Sequence, residues 1–195
     1  MPARRAFLGA ALALAVPFRA AAALPSDIIA QVEAYLNGIE TLRARFVQVA
    51  PNGTRSDGKV FMHRPGRMRF EYDPPNQLVI LATDWRVVVI DDRTGQTNTI
   101  PVARTPLGLI LEEPVRLSGD VTIDRIEEVD GELRLTVFKT DEPGLGELEL
   151  VFGQEPLELR RWRVLDAQGK VTHIQLQDVE INVPLDGRLF SSSNR

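Results

Sequence analysis

Side chains that move protons, attack carbon or hold metals are few in this sequence, and their spacing is poor. His63 and His173 are its two histidines. They lie far apart without metal-ligand spacing, and each reads as an ordinary strand side chain. The acid pairs Asp91-Asp92, Glu112-Glu113 and Glu127-Glu128 would suit acid–base catalysis if both members shared a face. Neighbours on a strand point to opposite faces, so each pair reads as a solvated turn or edge. Asp91-Asp92-Arg93-Thr94-Gly95 starts like a calcium loop, but Arg93 stands at a ligand position and no later Glu completes the set. No serine sits in a G-x-S-x-G elbow, no glycine-rich loop opens a helix after a strand, and no H-E-x-x-H occurs. The absence of cysteine removes disulfides, thiol chemistry and a lipid-attachment site. The expectation is a protein without catalytic residues, metal or cofactor: a binder rather than an enzyme.

The N-terminus has the three parts of a secretory signal: a start carrying Arg4 and Arg5, an apolar run from Ala6 to Phe18, and the small residues Ala20 to Ala23. The run is too short and alanine-rich to span a bilayer stably. Arg4-Arg5-Ala6-Phe7-Leu8 fits a twin-arginine signal, and an ordinary secretory signal that begins with two arginines fits equally. Cleavage after Ala22 or Ala23 leaves a single domain over residues 24–195, unanchored and outside the cytoplasm. Removing residues 1–23 takes away Arg4, Arg5 and Arg19 and no acid, so the formal charge of −4 becomes more negative by three. So acidic a domain is a poor nucleic-acid binder.

Pro25-Ser26-Asp27 reads as a helix start, with Ser26 as N-cap. Ile28, Ile29, Val32, Tyr35, Leu36 and Ile39 then recur at helical spacing up to about Asn37-Gly38. From Ala44 the period becomes two. Arg67-Met68-Arg69-Phe70-Glu71-Tyr72 alternates charged and apolar, and further alternating runs extend to Val183, with turns such as Asp130-Gly131 and Gln168-Gly169 between them. About ten strands joined by short turns predict a strongly curved antiparallel sheet. Thr105 to Pro114 breaks the rhythm: Pro106 at a first helical position, then Leu107, Leu109, Ile110 and Leu111, predict a short apolar helix. The expected architecture is mainly β with helices, a single half-open antiparallel barrel capped by the N-terminal helix and this internal lid helix.

Three stretches, in order, resemble the periplasmic outer-membrane lipoprotein carrier family, LolA. They are Leu42-Arg43-Ala44-Arg45-Phe46-Val47-Gln48, the run from Gly58 through Arg64-Pro65-Gly66 to Tyr72, and Thr105-Pro106-Leu107-Gly108-Leu109-Ile110-Leu111. The resemblance implies an unclosed barrel whose cavity takes lipoprotein acyl chains. It also implies that Arg64 latches the lid through hydrogen bonds at Leu36, Ile110 and Leu111. Met68, Phe70 and Tyr72 fall on the cavity strand, with Phe46, Val60, Met62 and Leu107 completing the expected acyl-chain cavity and Arg67, Arg69 and Glu71 facing away. Relatives often carry a tryptophan where this chain has Phe61 and Phe70. The implied partners are lipoproteins and an inner-membrane ABC-type release complex; an outer-membrane receptor is a further candidate, the protein itself being a monomer in the periplasm. The alternative is a periplasmic half-barrel module that binds lipid or senses stress without transporting lipoproteins; an ending at Phe190 and a polar tail, without a further domain, favours the carrier.

Overall fold

The computed structural model describes residues 26–191. The expected signal peptide and the last residues of the polar tail lie outside them. Helix α1 (Ser26–Asn37) stops before Gly38 and leads into the first of eleven strands that form one sheet. The first six are β1 (Thr41–Val49), β2 (Arg55–His63), β3 (Arg67–Tyr72), β4 (Leu78–Thr83), β5 (Arg86–Asp91) and β6 (Gln96–Pro101). The other five are β7 (Val121–Val129), β8 (Glu132–Lys139), β9 (Gly146–Gln154), β10 (Leu157–Asp166) and β11 (Val171–Ile181).

Their order, β6-β5-β4-β3-β2-β1-β11-β10-β9-β8-β7, pairs each strand with its sequence neighbour everywhere except at one join. There β1 pairs antiparallel with β11, Phe46 opposite Leu176. The sheet therefore curls through its first and last strands and stays open between β6 and β7. The connection between those two edges carries a 3-10 turn (Val102–Arg104) and the one-turn helix α2 (Gly108–Leu111), so the helix expected as a lid belongs to the strap that joins the open edges. α2 is shorter than expected, with Pro106 outside it. Leu109, Ile110 and Leu111 are all buried, so burial rather than propensity sustains so short a turn.

Alternation set the inner face as expected. Leu42, Ala44 and Phe46 of β1, Val60 and Met62 of β2, and Leu148, Leu150 and Phe152 of β9 are buried in one core with Val32 and Leu36 of α1. Asp130 and Gly131 both take positive φ (53° and 76°) and join Val129 to Glu132 as a two-residue turn. Strand β6 carries no apolar alternation and is exposed along its whole length; only its pairing with β5 reveals it. The runs around Leu176 and Ile181 are one strand. It is bulged at Asp178 (φ 51°) where the β1 register shifts, and Val183 lies beyond it.

Arg69 does face away from the core, yet that face is covered. Its Nη1 donates to the Leu189 carbonyl at 3.2 Å and its Nε to Glu71 at 2.6 Å. The 3-10 turn Gly187–Phe190 lies against β3 and β4, burying Phe190 beside His63 and Arg67. Among the described residues no helix is long and apolar enough to cross a membrane.

Candidate functional site: a latched lid over an apolar interior

The last carbonyls of a helix have no partner within it and favour a cation nearby. At the end of α1 that cation is Arg64, which follows β2 and is only 5% exposed. Its Nη1 donates to the Leu36 carbonyl, and its Nη2 to Asn37 Oδ1 at 3.2 Å. Its backbone N–H donates to the Glu40 carbonyl at 2.9 Å. Burial pulls the guanidinium pKa down, opposed by the charge of Glu113; an arginine stays charged regardless.

The lid is held by other atoms than expected. Arg64 bonds to α1, while neither Ile110 nor Leu111 accepts from it. The Leu111 carbonyl accepts instead from the backbone N–H of Gly66 at 2.9 Å. The reason is geometric: both terminal nitrogens of the fork are engaged at the end of α1, and the tight Arg64-Pro65-Gly66 turn, with Gly66 at φ 71°, presents a main-chain donor to α2. Asn37 extends the network. Its Nδ2 donates to the Val115 carbonyl at 3.0 Å, and its Oδ1 accepts from the Val115 N–H at 2.8 Å. Glu33 Oε1 takes the Leu117 N–H at 2.6 Å. One turn, one helix end and the strand-joining strap are thus tied together. Asn37→Ala is expected to destabilise the protein by about 1–3 kcal/mol, because it leaves both main-chain groups of Val115 unpaired. Amide hydrogen exchange should accelerate at Val115 far more than on β9.

Beneath the latch, Leu36, Val60, Met62, Met68 and Ile110 close around a space of only 20 Å³, enough for about one water. Toward the other end the interior widens to 300 Å³, bounded by Phe70, Tyr72, Leu107, Trp162 and Ile174 among others. The predicted lining residues therefore divide between a shut compartment and an open mouth. Phe46 lines neither. Its ring meets those of Phe70 and Tyr72 edge-on at 5.2 and 5.1 Å and supports the wall. Trp162 of β10, which was not among the expected lining residues, borders both compartments and packs edge-on against Phe70 at 6.3 Å. The indole comes from β10 rather than from the positions of Phe61 and Phe70. Among the described residues its buried Nε1 meets no acceptor.

At the mouth Tyr72 donates to Gln48 Oε1 at 2.7 Å, and burial pushes its hydroxyl pKa up to about 12. The folded state holds this proton more tightly than the unfolded chain, whose tyrosine titrates near 10. The associated stability is complete below about pH 10 and is lost as pH rises toward 12. Tyr72→Phe should flatten that alkaline loss in urea-denaturation midpoints measured across the same window.

Residues 37–193 match the family model described as outer membrane lipoprotein carrier protein LolA. The chain belongs to the LolA family. Outer-membrane lipoprotein carrier proteins of Coxiella burnetii and Legionella pneumophila are similar to it. The first is 26% identical over 187 residues, covering 85% of this chain and 82% of the relative. The second is 28% identical over 170 residues, covering 82% of each. A DUF1329 family protein from Desulfovibrio piger shares the fold at a TM-score of 0.55 and 12% identity, covering 85% of this chain and 95% of that one. The LolA match takes in Asn37, the Arg64 turn and the whole strap.

Proposed function

We propose that this protein is a periplasmic carrier, not an enzyme, that covers the acyl chains of lipoproteins and moves them from the inner to the outer membrane. It receives them from an ABC-type release complex and gives them to an outer-membrane receptor or to the membrane itself. Membership of the LolA family supports the class, and the observation that carries the mechanism is Arg64, buried at the end of α1 beside the shut compartment.

Burying acyl chains is worth about 0.8 kcal/mol per methylene, so three long chains would exceed the ~18–21 kcal/mol at which real affinities saturate. A carrier holding that firmly would not deliver. A lid that must be opened lowers the apparent affinity by the free energy of closing. Loading would separate α2 from Gly66 and α1 from Arg64, while Val60, Met62, Met68 and Ile110 exchange their mutual contacts for hydrocarbon. At the junction with the mouth, Trp162 Nε1 would offer its unused donor to an acyl carbonyl.

The test is capture of the tagged protein from a periplasm, followed by analysis of what it holds. Triacylated protein is the expected cargo. Recovery of phospholipid alone would overturn the carrier reading in favour of a lipid-binding module.

A further inference from the structure

We propose that the Asp84–Arg86 turn is a docking site for an anionic phospholipid surface. Trp85 forms the tip of the β4–β5 hairpin and is 54% exposed, the largest exposure among the big apolar side chains described. It is held out by backbone that bulky residues rarely adopt, since Asp84 and Trp85 both have positive φ, 49° and 58°. An indole with an apolar body and a polar N–H suits the boundary between water and acyl chains.

The charges around it decide the partner. Arg86 follows Trp85 directly. The Trp85 carbonyl accepts from the Val102 N–H at 3.0 Å, which brings in the 3-10 turn that ends in Arg104. The indole also lies over Gly66, where an added Cβ would sit 3.7 Å from the ring, and this places Arg67 alongside. Arg86 and Arg104 are exposed, and among the described residues neither forms an ion pair. Arg67 lies over the Phe190 ring and is in no ion pair among the described residues. Elsewhere on the sheet Arg43, Arg45, Arg134, Arg161 and Arg163 all face carboxylates. Asp84 is the single acid in the turn; Glu112 and Glu113 follow α2. Guanidinium groups without a carboxylate partner among the described residues, set around an exposed indole in a chain of net negative charge, match phosphate headgroups above acyl chains. Through Gly66 and Val102 the same turn touches both segments that hold the lid, so the docked face is the face of the latch.

This inference stands apart from the carrier reading, because it concerns the empty protein. The mature protein is mixed with vesicles of equimolar phosphatidylethanolamine and phosphatidylglycerol, or of phosphatidylcholine alone, and sedimented. Binding to the anionic vesicles only is expected, with a blue shift of tryptophan emission, since Trp162 is already buried. Trp85→Ser should weaken binding at least about tenfold and abolish the shift; Arg86→Gln and Arg104→Gln should each weaken it about fivefold. Circular dichroism melts of the variants show that the fold is retained. Absence of wild-type binding to anionic vesicles, equal binding to both vesicle types, or undiminished binding by a folded Trp85→Ser variant would each overturn the proposal.

Discussion

Arg64→Leu is expected to tighten retention of a fluorescent acyl-chain probe by tenfold or more while shifting the unfolding midpoint little. The two effects separate because the guanidinium acts differently on the two equilibria. Losing its bonds to Leu36 and Asn37 removes about 1.5–3 kcal/mol apiece from the docking of α1, the helix whose Asn37 holds the strap at Val115, and about 1.4 kcal/mol is already a factor of ten in affinity. Folding itself also regains the cost of desolvating the charge. The leucine can pack among Met62, Met68 and Ile110, which border the same space. Loaded protein should therefore surrender lipoprotein poorly to acceptor membranes. Arg64→Lys should behave similarly, since one ammonium cannot reproduce a planar fork directed at two acceptors. If Arg64→Leu passed lipoprotein from inner-membrane vesicles to acceptors as fast as wild type, the latch would be refuted.

Gly58→Ala should give the largest loss of stability of any single methyl addition to the cavity wall, about 3 kcal/mol. A Cβ at Gly58 would lie 2.1 Å from the Glu71 carbonyl oxygen and 2.7 Å from the Phe46 ring. Neither neighbour can yield cheaply. The carbonyl belongs to the adjacent strand β3, and the ring is 1% exposed and wedged against Phe70 and Tyr72. Overpacking a close-packed interior costs about 1–3 kcal/mol, and here a main-chain atom blocks relaxation. Urea denaturation would report the loss. Adding Phe46→Leu should recover only the ring's share of it, leaving the clash with the carbonyl. Full stability in Gly58→Ala would mean that β2 and β3 can part without disturbing the wall.

The glycine that opens the second family-like stretch thus has a physical explanation that sequence could not supply. Its φ is not the reason; the Phe46 ring passes over it. Likewise Arg64 could be named from the Arg-Pro-Gly pattern, but among the described residues its side chain bonds Leu36 and Asn37 rather than Ile110 or Leu111. A resemblance transfers residues, whereas carbonyl directions depend on how a one-turn helix is seated. Asn37 and Trp162 went unnoticed for related reasons. An asparagine at a helix end is an ordinary stop signal, and a tryptophan in an alternating strand is ordinary core. Only the Val115 backbone opposite the first, and the two compartments beside the second, give them roles.

What the sequence by itself determined was the local rhythm: helix α1 from its three- and four-residue spacing, strand faces from alternation, turns from Asp-Gly and Gln-Gly, and an apolar break at 105–114 that had to be covered. Periodicity reports which side of an element is dry, because that is a property of each segment alone. It does not report which segment lies opposite. The pairing of β1 with β11, the gap between β6 and β7, the cover over Arg69 and the narrowing of the space beneath the latch to 20 Å³ come from contacts between residues far apart in the chain. Backbone donors such as Gly66 N–H are the same in every residue but proline, so only the tertiary structure could decide which of them holds the lid.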